Sequence, residues 1–470
     1  MLRQKYATDP RFSRLLKLSG LNNAQLDEID KILEDKQLYE YLESDLSKRY
    51  PKTKETGRNS TPVEVIFRLL VLKHLYQISY QEILNCVNEN LVLRQFCRVY
   101  FNRLPSKSTL IRWANLIKHE TLKQFNQRLT QLATQLKITN GEKVRTDGTV
   151  VSTNIHFPSD NSLLVDGVRV LNRHLQQARK LIIKQNISTD QRLFQNRHRT
   201  AKIIARKIDD LSRTRTQAGS DQRKLSYQKL LDVASATLKQ AQQVKTILHK
   251  AIGKDVNKLV KTFQLFINRV EQVINQTFRR IVGQEKVPSS EKIVSIFENH
   301  SDIICRGKQN VLVEFGHKVW LDEVDGGIIS NYRVLKGNPH DTQQLPETID
   351  QHLKQFGHPP KQISADRGVF SSLNENYAKS QGIQQIILPK PGYKSKERQI
   401  QEKKRSFYLG RCWHNGVEGR ISFLKRCFGF QRCLYHGEDG FERWVGWGIV
   451  AHNFLMIGRT LIHKKSIACE

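Results

Sequence analysis

The sequence predicts an α/β protein in which a mixed sheet, flanked by helices, follows an all-helical region and is divided by a long helical insertion. Three observations support this fold class. Residues 1–138 carry helical patterns only, strand patterns occur at 142–154 and again after Pro288, and a helical period runs between them from Leu163 to Val287. Apolar residues recur every three or four positions in a helix and at alternate positions in a strand, so the two patterns can be distinguished.

The chain is strongly basic. Its 470 residues include 77 Lys and Arg against 45 Asp and Glu, which gives a net charge of +32. Such a charge favours a polyanionic partner, and nucleic acid is the first candidate because each neutralised phosphate releases counterions. A membrane surface competes, but we find neither a long uncharged apolar run nor a basic amphipathic tail. We therefore expect nucleic acid as the partner and no membrane.

Cysteine usage and the N-terminal sequence predict a cytoplasmic protein. The seven cysteines are scattered, and no pair has CxxC spacing. This pattern argues against a zinc knuckle and against a disulfide framework. The first residues, MLRQKYATDPRFSRLL, lack the apolar core of a signal peptide.

Helix-start signals mark the N-terminal region. Residues 61–64, Thr-Pro-Val-Glu, predict a helix that starts at Thr61 with a capping box and a proline in its first turn. Residues 79–82 repeat the capping-box pattern, and another helix is expected after Ser106. Short helices with exposed Lys and Arg are compatible with a helix-turn-helix DNA-binding domain, and equally with a helical packing domain.

The insertion contains a basic segment. Residues 192–224 carry ten Lys and Arg against three Asp. A solvated charged face explains such a run, and so does contact with a DNA backbone. Both interpretations stay open.

Strand signals after the insertion complete the element order. Asp325-Gly326-Gly327 predicts the turn of a β-hairpin between two apolar runs. The further expected elements are a helix at 345–353, a strand at 362–366, a strand at 384–388 and helices from Trp413 onward. Without the insertion, this is the element order of a ribonuclease H-like α/β domain.

Three acids fit a site for phosphodiester chemistry. Two divalent ions can activate the attacking group and stabilise the leaving oxygen, and Mg²⁺ prefers carboxylate oxygens. Asp147 lies inside the first strand, Asp366 ends a later strand, and Glu418 lies in a helical segment. A strand-end Asp alone often only caps a turn. The ordered set of three predicts a metal site.

The segments around these acids resemble those of bacterial insertion-sequence transposases with a DDE domain. They are Val-Arg-Thr-Asp-Gly-Thr-Val around Asp147, Ser-Ala-Asp-Arg-Gly-Val-Phe around Asp366, and Asn-Gly-Val-Glu-Gly-Arg-Ile-Ser-Phe-Leu-Lys around Glu418. Helical segments that start at Thr61, Ser79 and Leu93 resemble the N-terminal domain of the same group. The similarity covers most of the chain and is weakest from Leu163 to about Ser301.

The resemblance implies a domain plan and a set of partners. Residues 1–138 would bind DNA, residues 139–162 and 302–470 would form the ribonuclease H-like catalytic domain, and residues 163–301 would be a helical insertion. Asp147, Asp366 and Glu418 would hold two ions, Mg²⁺ or Mn²⁺. The expected partners are double-stranded DNA, both terminal inverted repeats and target, and a second copy of the chain. The expected location is the bacterial cytoplasm, at the nucleoid.

Basic residues near the acids are candidate DNA contacts. Lys425 follows Glu418 by two helical turns and therefore shares its side of the helix, where it can hold a phosphate. His414 stands where the family often has an arginine, which leaves the end-processing details open. Arg367 can hold a phosphate or pair with an acid. A basic connection, expected to be a loop along the DNA backbone or a plain solvated loop, contains Lys390, Lys394, Lys396, Lys403, Lys404 and Arg405.

Other acids compete for these roles. Turn chemistry explains Asp325, and exposure is expected to explain Asp322 and Glu323. The remaining candidates for the third acid lack a partner in the position of Lys425; they are Glu402, Glu438 and Glu442.

The leading hypothesis is a DNA transposase that hydrolyses a phosphodiester at an element end and joins the resulting 3′-hydroxyl to target DNA by transesterification. One alternative is a transposase-derived DNA-binding protein without catalysis. The other is a nuclease that cuts without joining.

Overall fold

The computed structural model describes residues 1–48, 52, 55–57, 59–214, 216–305 and 313–469. Contacts divide the chain into two compact units: unit 1 consists of Met1–Asn154 with Ile304–Glu470, and unit 155–303 consists of Ile155–Ile303. Each unit has buried apolar residues of its own. The assignment of DNA-binding and catalytic domains within this division stays a prediction.

The described part of residues 1–138 is helical, as predicted. Most of its helices begin at a polar cap, such as Asp9 before the first helix and Ser106 before the seventh. Side chains of this type accept the hydrogen bonds of N–H groups in the first turn, which have no partner inside the helix. The helices are α1 (Pro10–Ser19), α2 (Ala24–Ile32), α3 (Lys36–Ser47), α4 (Val63–Tyr76), α5 (Tyr80–Glu89), α6 (Leu91–Phe96), α7 (Lys107–Ala114) and α8 (His119–Gln135).

The capping box predicted at Thr61 is wrong. Helix α4 begins at Val63, and its cap residue Pro62 supplies no side-chain hydrogen bond. The N-terminal segment takes over this role, because the backbone N–H groups of Val63 and Glu64 donate to the carbonyls of Arg3 and Gln4 at 2.8 and 3.0 Å. The capping box at residues 79–82 is confirmed at the start of α5.

Apart from residue 215, which the structure does not describe, unit 155–303 has four α-helices, as the helical period predicted. They are α9 (Asp160–Lys184), α10 (His198–Leu211), α11 (Gln217–Leu248) and α12 (Lys254–Thr277). Apolar residues at helical spacing, among them Leu171, Leu230 and Phe263, bury one face of each long helix in a common core. The basic segment 192–224 covers α10 and the start of α11, and the exposed side chains include Arg199, Lys202 and Arg206.

Unit 1 also contains the mixed sheet. Its strands are β1 (Lys143–Ser152), β2 (Asp302–Cys305), β3 (Val313–Val324), β4 (Ile328–Leu335), β5 (Gln362–Ala365) and β6 (Gln385–Ile387). The order is β2-β3-β1-β5-β6, and β4 also pairs with β3. Strand β3 is antiparallel to β1 and β4, whereas β5 is parallel to β1 and β6. Strand β2 was not predicted from the sequence.

The predicted hairpin joins β3 and β4. Its turn uses Gly326 and Gly327 at φ 76° and 74°, a region that favours glycine. The carboxylate of Asp325 accepts hydrogen bonds from Thr139 Oγ1 and the Asn140 N–H, both at 3.0 Å. Turn chemistry therefore does explain Asp325.

The remaining helices of unit 1 are α13 (Leu345–Phe356), α14 (Ser372–Ser380), α15 (Lys396–Lys403), α16 (Arg405–Cys427) and α17 (Glu438–Cys469). By length and composition α17 could cross a membrane, but 72% of its apolar 18-residue stretch is buried inside the protein. Its side chains Trp447, Val450 and Phe454 pack with those of the N-terminal helices. This helix is therefore part of the core of unit 1.

Candidate active site

The register of two parallel strands places Asp147 beside Asp366. In the pairing of β1 with β5, Thr146 lies opposite Ala365, and the next residue of each strand is one of the two acids. Strand β5 ends there, while β1 continues past Asp147 along β3. The carboxyl ends of parallel strands are a common place for a ligand site in α/β proteins.

The two carboxylates repel each other. Burial, and after it the negative charge of Asp366, raise the pKa of Asp147 to about 6. The Gly148 N–H donates to Asp147 Oδ1 at 2.7 Å and, like the nearby His414, lowers this pKa. The side chain of Asp366 is 67% exposed, so it is open to a ligand from solvent. Negative charge held together in this way favours a cation.

Helix α16 brings His414 to this pair. Its imidazole is buried, and Nε2 lies 3.3 Å from Asp366 Oδ1. The other ring nitrogen, Nδ1, is buried without a hydrogen-bond partner in the described part of the chain. The ring therefore contacts an acid of the site, and the DNA contact expected of His414 stays a prediction.

A buried carboxylate ties α16 to strand β1. Glu323 on β3 is 1% exposed. Its oxygens accept from Arg145 Nε and Nη2 of β1 at 2.9 and 2.7 Å, and from Arg420 Nε of α16 at 3.0 Å. Arg145 also donates to the Trp413 carbonyl and lies 4.9 Å from the centre of the Trp413 ring. Because Arg145 and Asp147 share one face of β1, this cluster orients α16 toward the acids.

The predicted exposure of Glu323 and Asp322 is wrong. Asp322 is 2% exposed and accepts from Thr146 Oγ1 at 2.6 Å, Thr348 Oγ1 at 2.8 Å and Asn331 Nδ2 at 2.8 Å. Strand β3 is an inner strand, and these two acids point to opposite faces, Asp322 toward Thr348 of α13 and Glu323 toward Arg420 of α16. Each acid is fully engaged in structural bonds, so neither competes for the site.

Two glycines let α16 approach the sheet closely. A methyl group at Gly416 would overlap Arg145 Nη1, and one at Gly410 would overlap the side chain of Ile387 on β6. By contrast, a methyl group at Gly419 would meet nothing within 4 Å. Gly416 and Gly410 therefore allow the close approach of α16 to β1 and to β6.

Glu418 lies on α16 one turn after His414, and its side chain is exposed. Within the described ranges, no three His, Cys, Asp or Glu side chains converge closely enough to hold a metal ion. The structure thus brings together two of the three predicted acids. The role of Glu418 as the third acid stays a prediction, as does the phosphate contact of Lys425.

Sequence reasoning missed Asp341. Its negative charge also raises the pKa of Asp147, and a methyl group at Gly368, two residues after Asp366, would lie 3.1 Å from Asp341 Oδ2. Lys318 donates to the Asp341 carboxylate and, at 3.0 Å, to the Pro339 carbonyl. Asp341 stands alone in the connection between β4 and α13, so no spacing in the sequence linked it to the other acids.

The basic connection is not the predicted loop. Residues Lys396–Lys403 form α15, and Arg398 within it is buried. Its guanidinium pairs with Glu402 at 2.9 Å and Glu375 at 3.0 Å, and Lys394 pairs with Glu402 at 2.5 Å. These buried ion pairs favour an ordered helix over a solvated loop. The pair with Glu402 also neutralises the charge of Lys394. The exposed cations are Lys396, Lys403, Lys404, Arg405 and, beside the acids, Arg367.

Two family models match the chain. A transposase domain (DUF772) matches residues 13–116, and a transposase DDE domain matches residues 323–454. The two matches together cover about half of the sequence. The second contains Asp366 and Glu418, whereas Asp147 lies outside both. No curated protein and no solved structure matches the chain.

Proposed function

The chain belongs to the DDE transposases of insertion sequences, and we propose that it cuts and joins DNA strands with Asp147, Asp366 and Glu418. The observation that carries this assignment is that the β1–β5 pairing places Asp147, inside β1, beside Asp366, which directly follows β5, and that the charge of Asp366 raises the pKa of Asp147. Glu418 is assigned because it lies on the helix whose His414 contacts Asp366.

DDE transposases generally use divalent metal ions, and the donor set fits such an ion. Two carboxylates that repel each other gain from a shared cation, and hard ions bind oxygen ligands. Asp147 and Asp366 would hold two ions, Mg²⁺ or Mn²⁺, with Glu418 completing one site. When bound, the ions would supply charge stabilisation for the attacking and leaving oxygens.

The protein groups around the acids position them and the DNA. His414 holds the Asp366 carboxylate at its Oδ1 atom, and the Arg145–Glu323–Arg420 cluster fixes α16 against β1. Arg367, Lys425 and the exposed cations of residues 396–405 would contact phosphates beside the acids. Water would attack the phosphodiester at an element end and release a 3′-hydroxyl, which would then displace a 3′-oxygen of target DNA.

The wider organisation follows from the same assignment. The hairpin on one side of β1 and the parallel strands on the other support a ribonuclease H-like domain. Residues 1–138 would bind the terminal inverted repeats, two copies of the chain would pair two element ends, and the cytoplasmic nucleoid would be the location. The exposed cations of α10 support contact between the insertion and the DNA backbone.

The test is cleavage and strand transfer on duplex DNA that carries the element ends, with Mg²⁺ present. We expect Asp147→Asn, Asp366→Asn and Glu418→Gln to abolish both products while DNA affinity is retained. Glu397→Gln, which changes an exposed acid on α15, is the matched control and should be active. Retained joining by one of the three variants removes that acid from the site.

Asp341→Asn tests the assignment of the third acid. If Asp341→Asn abolishes cleavage and Glu418→Gln does not, the third acid is Asp341. Cleavage by the wild-type chain without capture of the 3′-hydroxyl in target DNA would indicate a nuclease. No product at all, with binding intact, would indicate a DNA-binding protein without catalysis.

A further inference from the structure

Helices α4 and α5 form a helix-turn-helix whose second helix is firmly oriented. The turn between them is three residues long, Gln77–Ser79, and starts with Gln77 at φ 54°. Ser79 caps α5, and Tyr80 at its first position shares a 2.7 Å hydrogen bond with Tyr435. Fixed placement of the second helix is what DNA recognition by this motif requires.

Helix α5 has one buried and one polar face. Ile83, Leu84 and Val87 are buried against the other helices. The opposite face exposes three amides at positions i, i+4 and i+7, and these residues are Gln81, Asn85 and Asn88. Gln81 Nε2 donates to Asn85 Oδ1 at 3.0 Å, so neighbouring amides are within bonding reach. Of the two acids on α5, Glu82 accepts from the Ser79 N–H at 2.7 Å, and Glu89 is the exposed last residue of the helix.

The amide face forms one wall of an open groove of about 560 Å³. The other wall is the segment from Phe101 to Lys107. Three cations line the groove, Arg94, Arg103 and Lys107, and no Asp or Glu is among its described lining residues. Arg94 shapes the second wall, because it donates to the carbonyls of Tyr100 and Asn102 at 2.7 and 2.8 Å. The charge of the groove therefore complements a polyanion.

We infer that this groove binds duplex DNA in a sequence-specific manner, with α5 in the major groove. Asn and Gln amides carry a donor and an acceptor that match the N6 and N7 atoms of adenine. Asn85 and Asn88 would contact base edges, and Arg103 and Lys107 would contact phosphates, which position the protein without selecting sequence. The inference rests on the proposed action on DNA and adds where its sequence is recognised.

The experiment selects bound DNA from a random pool of duplexes of about 25 base pairs, a little over two helical turns. The full-length wild-type chain should enrich a sequence that contains adenine. The double variant Asn85→Ala/Asn88→Ala should lose about 10-fold or more in affinity for that sequence and keep its affinity for the unselected pool. Lys107→Ala should weaken binding to both and lower the salt dependence.

Matched controls separate recognition from folding. Gln124→Ala on α8 and Lys354→Ala on α13, both exposed, should behave as wild type. Enrichment of the same sequence by the double variant would overturn the inference, and so would a wild-type chain that enriches no sequence. Neither outcome depends on cleavage, so a failure of the proposed catalytic acids remains distinguishable.

Discussion

Asp147 is the residue at which metal binding and folding stability are in conflict. Its pKa is about 6 in the folded protein against a usual 3.8, chiefly because of burial. The folded state thus holds its proton more tightly than the unfolded state. Protonation of Asp147 therefore stabilises the folded state. This stabilisation is complete below the pKa of Asp147 in the unfolded chain and is lost as pH rises through about 6, its pKa in the folded chain.

The variant Asp147→Asn measures this cost. In buffer with EDTA we expect it to be about 1–2 kcal/mol more stable than wild type above pH 6, because the buried charge is removed. The gain should vanish near pH 4, where the wild-type carboxyl is protonated in the folded state. Chemical unfolding at both pH values tests this, and a gain that is equal at both would contradict the pKa shift.

Glu323 has a structural role at the residue scale. Replacement by Gln leaves two largely covered guanidinium groups, Arg145 and Arg420, without their shared charge partner. We expect Glu323→Gln to lower the free energy of unfolding by about 3 kcal/mol. Glu285→Gln, which removes an exposed pair with Arg279, is the control and should leave stability unchanged. Equal effects of the two changes would show that the cluster does not hold α16.

At the scale of elements, α16 determines how the site is assembled. Gly416→Ala places a methyl group on the Arg145 guanidinium, so either this group leaves its bonds with Glu323 and the Trp413 carbonyl or α16 moves away from β1. We expect cleavage to fall about 10- to 100-fold, because a misplacement of about 1 Å suffices for such a loss. DNA affinity should be retained.

Gly419→Ala is the matched control on the same helix, because its methyl group meets nothing within 4 Å. It should keep wild-type activity and be slightly more stable, since alanine favours a helix over glycine by about 1 kcal/mol. If Gly416→Ala cleaves as fast as Gly419→Ala, the close approach of α16 has no part in activity.

The sequence predicted those turns and helix starts that depend only on residues close to one another along the chain. The paired glycines of the β3–β4 turn and the Ser79–Glu82 box are short-range signals, and the structure has both. The start of α4 was misplaced because the carbonyls of Arg3 and Gln4, far away in sequence, satisfy its first turn. Likewise α15 depends on ion pairs between Arg398 and acids brought near by the fold.

The same distinction applies to the site. The proximity of Asp147 and Asp366 follows from strand signals, because Asp147 lies inside β1, Asp366 directly follows β5, and the parallel pairing of the two strands brings these positions together. The burial of Glu323 could not, since it requires partners on β1 and α16 at once. Asp341 was missed for the same reason, because only the folded chain places its loop beside β5.

At the scale of the whole molecule, unit 155–303 has a core of its own. Its buried apolar residues, from Leu163 to Ile296, pack with one another in a separate cluster. We therefore expect a piece that spans residues 155–303 to fold by itself into a helical domain with a cooperative thermal transition. Circular dichroism tests this, and a piece that melts without a transition would show that the unit depends on the rest of the chain.

The central claim is that Asp147 and Asp366 form the catalytic cation site. Crystals of the full chain soaked in Mn²⁺ test it most directly, through anomalous scattering from the ion. We predict a peak between the two carboxylates in the wild type and its loss in Asp147→Asn. A wild-type crystal with no peak there, or with its Mn²⁺ bound only by other residues, would contradict the claim.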